Sequence, residues 1–446
     1  METWEIKGPN KLSGEVKIHG NKNSTFPCIA ASLLLKNPEQ SIILGNVPQI
    51  KDVFVLIDVI KYLGIDAIWL DENTLKLSPI ENFKIDTVSI PDEIMAKIRG
   101  SVVLLGPLIA KFKSFSLPRP GGDKIGSRPL TAHILAFRDL GFSIEEKDGG
   151  LFINQQEKFD FSKNDPFNKK RRVWLTERSV TATESLLLFS SSLNIDEELT
   201  IYGAACEPHI MTICKLLSKM GAEISGENSN CIKIKWPNGV HQPSEKFMLD
   251  DDHIEAATYA VAAAITKSDV VINFKNSEFL ELMDRYLKWV GVKTTLNISE
   301  NKWSIFGSKS NFEISPDLKV IKAEPWPGFP TDAMSLFLVL ATQCHGSVKF
   351  LEYMYEDRFT FVQILKDMGA RIEENPPHVI KVHGPTPLSG QETFVRPDIR
   401  SGAALLLASL CAKGSTTLHD KNNVIGRGYE KLPETLISLG ADIENK

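Results

Sequence analysis

Three aspartates stand where a carboxyl could be held against a substrate: Asp123 in SLPRPGGDKIGSRPLTAH (116–133), Asp332 in PWPGFPTDAMS and Asp398 in VRPDIRSG. The Pro-rich lead-in to Asp332 fixes the chain stiffly before the helical stretch AMSLFLVLATQ, and rigid placement is what a general base needs. Helix capping is the structural alternative for both Asp332 and Asp398. Asp123 lies between Gly122 and Lys124 in a loop rich in Gly, Pro and charge. Such a loop reads either as a mobile charged lid or as an exposed turn with incidental charge. A carboxyl on a lid can deliver a proton once closure desolvates it.

Cations accompany these carboxyls. Lys22, in GNKN, follows a strand-like segment and precedes the apolar stretch TFPCIAASLLL. Asn23 and Ser24 read there as helix caps, while Lys22 beside helix N–H groups suits an anionic substrate. Arg99, Arg128, Arg358 in YEDRF, Arg400 in PDIRSG and Arg427 in GRGYEKL add guanidinium groups. Each matches a phosphate or carboxylate two bonds at a time, so convergence of several implies a small, multiply charged anion. The run DDDH (250–253) has metal-ligand residue types but directly precedes a helical stretch and reads as a capping cluster, so no metal is expected. KKRR (169–172) reads as a solvated basic turn within reach of a diphosphate. There is no GxxxxGK[ST] and no GxGxxG, so phosphate is left to side chains and no cofactor is expected.

The elements that must position these groups repeat. An apolar helical stretch ending in Gly, followed by an alternating strand, occurs at Gly64, Gly141, Gly221, Gly291, Gly369 and Gly440, in steps of 77, 80, 70, 78 and 71 residues. Units of that length suit a small α/β subdomain, and six of them suggest two domains of three. WPNGVHQPSEK (236–246) supplies a hinge. The expected division is a discontinuous domain of residues 1–21 plus 241–446, carrying Asp332, Asp398 and Arg400, and a domain of 22–240 carrying the Asp123 loop. The N-terminal segment reads as two short strands around a turn, and a cleft between the domains is the expected place for chemistry.

At 446 residues and 42% hydrophobic, the chain can bury more than one core. With 51 Lys plus Arg against 56 Asp plus Glu, nothing calls for nucleic acid. The six cysteines show no CxxC and read as reduced, buried thiols. No apolar run reaches membrane-spanning length, so a cytoplasmic protein without membrane partners is expected, as a monomer or weak oligomer.

Taken together, GNKN, SLPRPGGDKIGSRP, FPTDAMS, YEDRF, PDIRSG and GRGYEKL, in this order and spacing, resemble the enolpyruvyl transferases over essentially the whole chain. SVTATES (179–185), ACEPHI (205–210) and DDHIEAATYAVAAAI resemble family segments as well. The resemblance implies a two-domain inside-out α/β barrel of six repeated units, three per domain. It implies transfer of the enolpyruvyl group of phosphoenolpyruvate to the 3-hydroxyl of UDP-N-acetylglucosamine, with release of phosphate, in peptidoglycan precursor synthesis. Residue by residue it implies that Lys22, Arg128 and Arg400 hold phosphoenolpyruvate, with Arg99, Arg358 and Arg427 adding positive charge. Asn23 and Asp332 would bind the sugar, Asp332 as the base for its hydroxyl, and Asp398 would orient Arg400. Arg128, Pro129, Leu130, Thr131 and His133, with Ser179, Val180 and Thr181, would cradle uridine and diphosphate, and Met354 would touch substrate.

Three positions depart from the family pattern. Asp123 replaces a reactive Cys carried by most members, so resistance to fosfomycin, which alkylates that thiol, is expected. A carboxyl that ordinarily titrates near ~3.9 needs a raised pKa to serve as an acid at neutral pH. Thr131 stands where members often have Asp, and Glu177 where some have Lys. An enolpyruvyl transferase acting on another nucleotide or sugar, and a non-catalytic UDP-sugar-binding paralogue, are the other readings.

Overall fold

Each of the six glycines that close the repeats adopts a left-handed backbone, with φ between +80° and +109°. An L side chain rarely occupies that region, which is why the helical stretches end at these positions. The computed structural model describes residues 2–81, 87–91, 93, 98–112, 114–154, 170–275, 279–375 and 378–446.

Among the described residues there are six four-stranded sheets of one pattern. In the sheet around Phe350, strand Val320–Lys322 lies parallel to Gly346–Leu351, which pairs antiparallel with Val379–Gly384, itself antiparallel to Arg371–Asn375. The helix Thr331–Thr342 links the two parallel strands, a βαβ crossover. Residues alternate between buried and exposed along Gly346–Leu351, as expected for a sheet with one face in water.

The chain divides into two compact units: Met1–His19, Asp123–Arg128 and Asp251–Lys446 form one, and Gly20–Gly122 with Pro129–Asp250 the other. In the first, helices His253–Ile265, Thr331–Thr342 and Ile399–Cys411 pack on one another. His253–Ile265 is buried along its whole length, and Ile399–Cys411 at all positions but Cys411. A helix apolar all round belongs inside a core, so helices fill the centre of this unit and the sheets take its outside. The second unit repeats the plan with Lys22–Ala30, Leu105–Lys111 and Val180–Phe189. Gly106 allows the last two to touch, since a Cβ there would lie 1.8 Å from the Ser185 carbonyl oxygen.

The repeat ends expected as single strands, AEISGENSNCIKIKW and ARIEENPPHVIKVHG, are each a pair of antiparallel strands. In the first, Gly226 at φ +82° and the Ser229 hydroxyl make the turn. The two N-terminal strands do not pair with each other. Glu2–Gly8 joins Gly414–Asp420 and Ile443–Asn445, whereas Ser13–Lys17 joins Asp269–Asn273. Pro9 has no N–H to donate, and Asn10 binds the Leu410 carbonyl through backbone and side chain, leading the chain from one sheet to the next.

Candidate active site

The residues singled out for chemistry recur at one place in the repeat, the start of the helix that follows the outer parallel strand. In the first unit Asp252, Asp332 and Asp398 open the three central helices; in the second Lys22, Arg99 and Ser179 stand at the equivalent starts. Ligands of open α/β sheets gather at such carboxyl ends of parallel strands. Asp252 and Asp398 are true N-caps, accepting from the N–H groups of Ile254 and Glu255 and of Arg400 and Ser401. Asp332 is not. The N-cap is Pro330, which makes no side-chain cap bond, and Asp332 is second in its helix.

That carboxylate is bracketed by arginines. Arg358 Nη2 donates to Oδ1 at 3.0 Å and Arg400 Nη2 to Oδ2 at 3.2 Å, while Arg358 Nη1 reaches Asp398 Oδ1 at 3.2 Å. Arg358 is 2% exposed and Arg400 4%, so the cluster is shielded from water on the arginine side. Burial opposes the Arg358 charge, yet Asp398 and Asp332 outweigh it and the pKa is raised. At Arg400 burial is likewise outweighed, by Tyr429, Asp332 and Asp252. Burial pushes the Asp398 carboxyl above its ordinary value against the pull of Arg358. Among the described residues, no hydrogen-bond partner meets the buried Arg358 Nε or Arg400 Nη1. Such donors are costly, and an anion is the group that would satisfy them.

The glycine-rich loop docks on the same unit. Arg427 Nη1 donates to Asp123 Oδ1 at 2.7 Å, the Lys124 N–H to the Pro397 carbonyl at 2.8 Å, and the Ser127 N–H to Glu356 at 3.2 Å. Arg128, at φ +46°, lies over the Tyr355 ring at 5.5 Å, and Arg358 over the same ring at 5.2 Å. Arg128, Arg358, Arg400 and Arg427 therefore belong to one cluster with Asp123, Asp332 and Asp398, and Met354 is half-buried nearby in sequence.

In the second unit Lys22 Nζ donates to the buried Asp52 at 3.2 Å. The cap of the Lys22 helix is Asn21, which accepts from the Ser24 N–H, in place of the expected Asn23 and Ser24. Gly20 is needed just before it, because a Cβ would lie 1.7 Å from the Asn46 carbonyl oxygen. His133 Nε2 and Thr181 Oγ1 lie 3.0 Å apart and join the two segments expected to form a cradle. Burial, then the Arg99 charge, lowers the His133 pKa to about 3. Ser179 and Val180 are half-buried, Pro129 and Thr131 exposed, and the Leu130 side chain lies in the core. The KKRR segment is no solvated turn. Lys170–Trp174 is a strand and Arg171 pairs with the buried Glu197 at 2.8 Å; Lys169 lies outside the described residues. Sequence reasoning missed Asp52, Tyr355 and Tyr429, whose roles come only from what the fold sets beside them.

Residues 6–436 match the family described as EPSP synthase (3-phosphoshikimate 1-carboxyvinyltransferase). The chain belongs to the enolpyruvyl transferase family. Among its relatives is the UDP-N-acetylglucosamine 1-carboxyvinyltransferase of Treponema denticola, 36% identical with all of both chains covered. The enzyme of the same description from Bradyrhizobium diazoefficiens is 35% identical over 98% of this chain and 97% of that one. Of solved structures, the enolpyruvyl transferase NikO from Streptomyces tendae superposes with a TM-score of 0.80 at 21% identity, covering 100% of this chain and 99% of that one. An EPSP synthase from Acinetobacter baumannii gives 0.71 at 17%, with both chains fully covered. In this enolpyruvyl transferase the repeat pattern read from the sequence and the six sheets of the structure are thus the family's fold.

Proposed function

We propose that the protein transfers the enolpyruvyl group of phosphoenolpyruvate to the 3-hydroxyl of UDP-N-acetylglucosamine, releasing phosphate, and so serves peptidoglycan precursor synthesis in the cytoplasm. The observation that carries the reading is Asp332 between Arg358 and Arg400, with buried guanidinium N–H groups left over for an anion. Full-length relatives that carry this activity in their names support the choice of acceptor.

In this reading Arg400 and Arg128 hold the phosphate and carboxylate of phosphoenolpyruvate, and Asp332 takes the proton of the sugar hydroxyl. That oxygen bonds to C2 of phosphoenolpyruvate as the methylene carbon gains a proton from Asp123, which must first exchange its ion pair with Arg427 for a proton, giving a tetrahedral ketal. Asp123 then takes back a methyl proton as the bond between C2 and the bridging phosphate oxygen breaks, and the leaving phosphate takes the proton held by Asp332, which leaves the enolpyruvyl ether and restores both carboxyls. Preplaced arginines stabilise charge that builds in these steps without reorganising. Asp398 keeps Arg358 and the Arg400 helix start in place. Lys22, Asn23 and Arg99, with the segment 128–133 and Ser179–Thr181, serve substrate binding.

The test is phosphate release from phosphoenolpyruvate with UDP-N-acetylglucosamine, shikimate 3-phosphate, UMP or no acceptor, alongside Asp332→Ala. Release with UDP-N-acetylglucosamine alone, lost in the variant, is expected. Release only with a different acceptor would reassign the protein to another nucleotide or sugar, the outcome to which Thr131 and the exposed Glu177 beside Ser179 point.

A further inference from the structure

Glu352 follows the strand Gly346–Leu351, an inner strand of its sheet, and its own N–H donates to the His378 carbonyl at 2.9 Å. The residue is 1% exposed. A buried carboxylate must be met by donors, and here three come from two separate segments. Thr331 Oγ1 donates to Oε2 at 2.5 Å, and the N–H groups of Met354 and Tyr355 donate to Oε1 at 2.8 and 3.2 Å. Thr331 immediately precedes Asp332 in a helix whose N-cap, Pro330, offers no side-chain bond. The Met354–Tyr355 turn leads into Arg358, whose N–H donates to the Tyr355 carbonyl at 3.3 Å, and the Tyr355 ring underlies both Arg128 and Arg358.

We propose that Glu352 is a positioning residue for the reaction: one carboxylate at a strand end ties the helix start bearing Asp332 to the turn bearing Tyr355 and Arg358. The inference rests on the enolpyruvyl-transfer reading, in which Asp332 is the base. Glu352 touches no reacting atom and works through the registry of base and guanidinium. A displacement of about 1 Å in such a pair costs on the order of 100-fold in rate, so the effect belongs in kcat more than in substrate affinity.

Thr331→Val removes the hydroxyl donor and keeps the shape; Thr331→Ser keeps the donor; Glu352→Asp shortens the bridge. For Thr331→Val we expect kcat lower by about 10–100-fold with KM for phosphoenolpyruvate changed less than about threefold. Thr331→Ser should recover most of the loss. The double variant Thr331→Val/Glu352→Asp should lose no more than the worse single one, because both cut the same bridge. A wild-type protein that releases no phosphate with UDP-N-acetylglucosamine overturns the functional reading and this inference with it. An active wild type whose Thr331→Val variant keeps its kcat, or whose single losses multiply in the double variant, overturns this inference alone. A merely structural role would lower the melting temperature and leave kcat in place. If Glu352→Asp fails to fold, the Thr331 pair decides.

Discussion

Asp332 has one arginine on each carboxylate oxygen, and the two contacts are not equivalent. Arg358 bonds two carboxylates, Asp398 and Asp332, whereas among the described residues Arg400 bonds one carboxylate, Asp332; each keeps one buried nitrogen without a partner there, Nε of Arg358 and Nη1 of Arg400. Arg400 is therefore the better placed to receive an anion, and Arg358 the better placed to hold the aspartates. Lys cannot reproduce a planar fork at either position. We expect Arg400→Lys to lower kcat/KM for phosphoenolpyruvate by about 10²–10³-fold, measured by phosphate release. Asp123 leads to a different prediction. Cys28, Cys206, Cys214 and Cys344 are buried, and burial pushes the thiols of Cys214, Cys344 and Cys411 up to about 12, which suppresses the thiolate at those three. Intact-protein mass spectrometry should show no fosfomycin adduct on the wild type and a single adduct on Asp123→Cys. A stoichiometric adduct on the wild type would show that some other nucleophile takes the place of the missing thiol.

Asp252 and Asp398 cap two central helices in the same way, but Asp398 is in direct contact with an arginine while Asp252 acts on Arg400 through charge alone, so a change to Ala at each weighs the direct ion pair against the cap. Loss of a cap costs about 1 kcal/mol. Asp398→Ala also leaves the buried Arg358 with one carboxylate fewer, and breaking a buried pair costs about 3–5 kcal/mol. The urea midpoint should fall distinctly further for Asp398→Ala than for Asp252→Ala; equal shifts would mean that the ion pair contributes little. Much at this scale was legible in the sequence. The left-handed glycines were readable because one residue type dominates that backbone region, and the helices because their apolar stretches are long. The hairpins within the repeat ends were not, since period-two alternation runs on through a short polar turn. Asn21 was passed over because its neighbours Asn23 and Ser24 have equally good capping chemistry. KKRR misled because charge was read without its partner Glu197, which is 26 residues away.

Across the molecule the repeats were visible from spacing, but the closure of sheets was not: Glu2–Gly8 pairs with Gly414–Asp420, and no local pattern announces a partner at the far end of the chain. Nor does spacing reveal that His133 is buried, on which acid stability turns. With its pKa lowered to about 3 by burial and the Arg99 charge, folded His133 stays neutral while the unfolded chain takes up a proton near its ordinary value of 6.5. The unfolded state then binds more protons, so stability is held above pH 6.5 and lost as pH falls towards 3, by at most about 1.4 kcal/mol per pH unit. Glu184 works the other way. Burial, then Glu207, raises its carboxyl, so its contribution is fullest below its ordinary 4.5 and is lost as pH rises. Comparing wild type with His133→Gln cancels what the two proteins share, and Gln keeps a polar group for Thr181. Urea unfolding between pH 7 and 4 should show the wild type losing stability relative to His133→Gln as the pH drops. Parallel stability curves would mean that His133 reaches water or a proton in the folded protein, and that the contact with Thr181 does not hold it neutral.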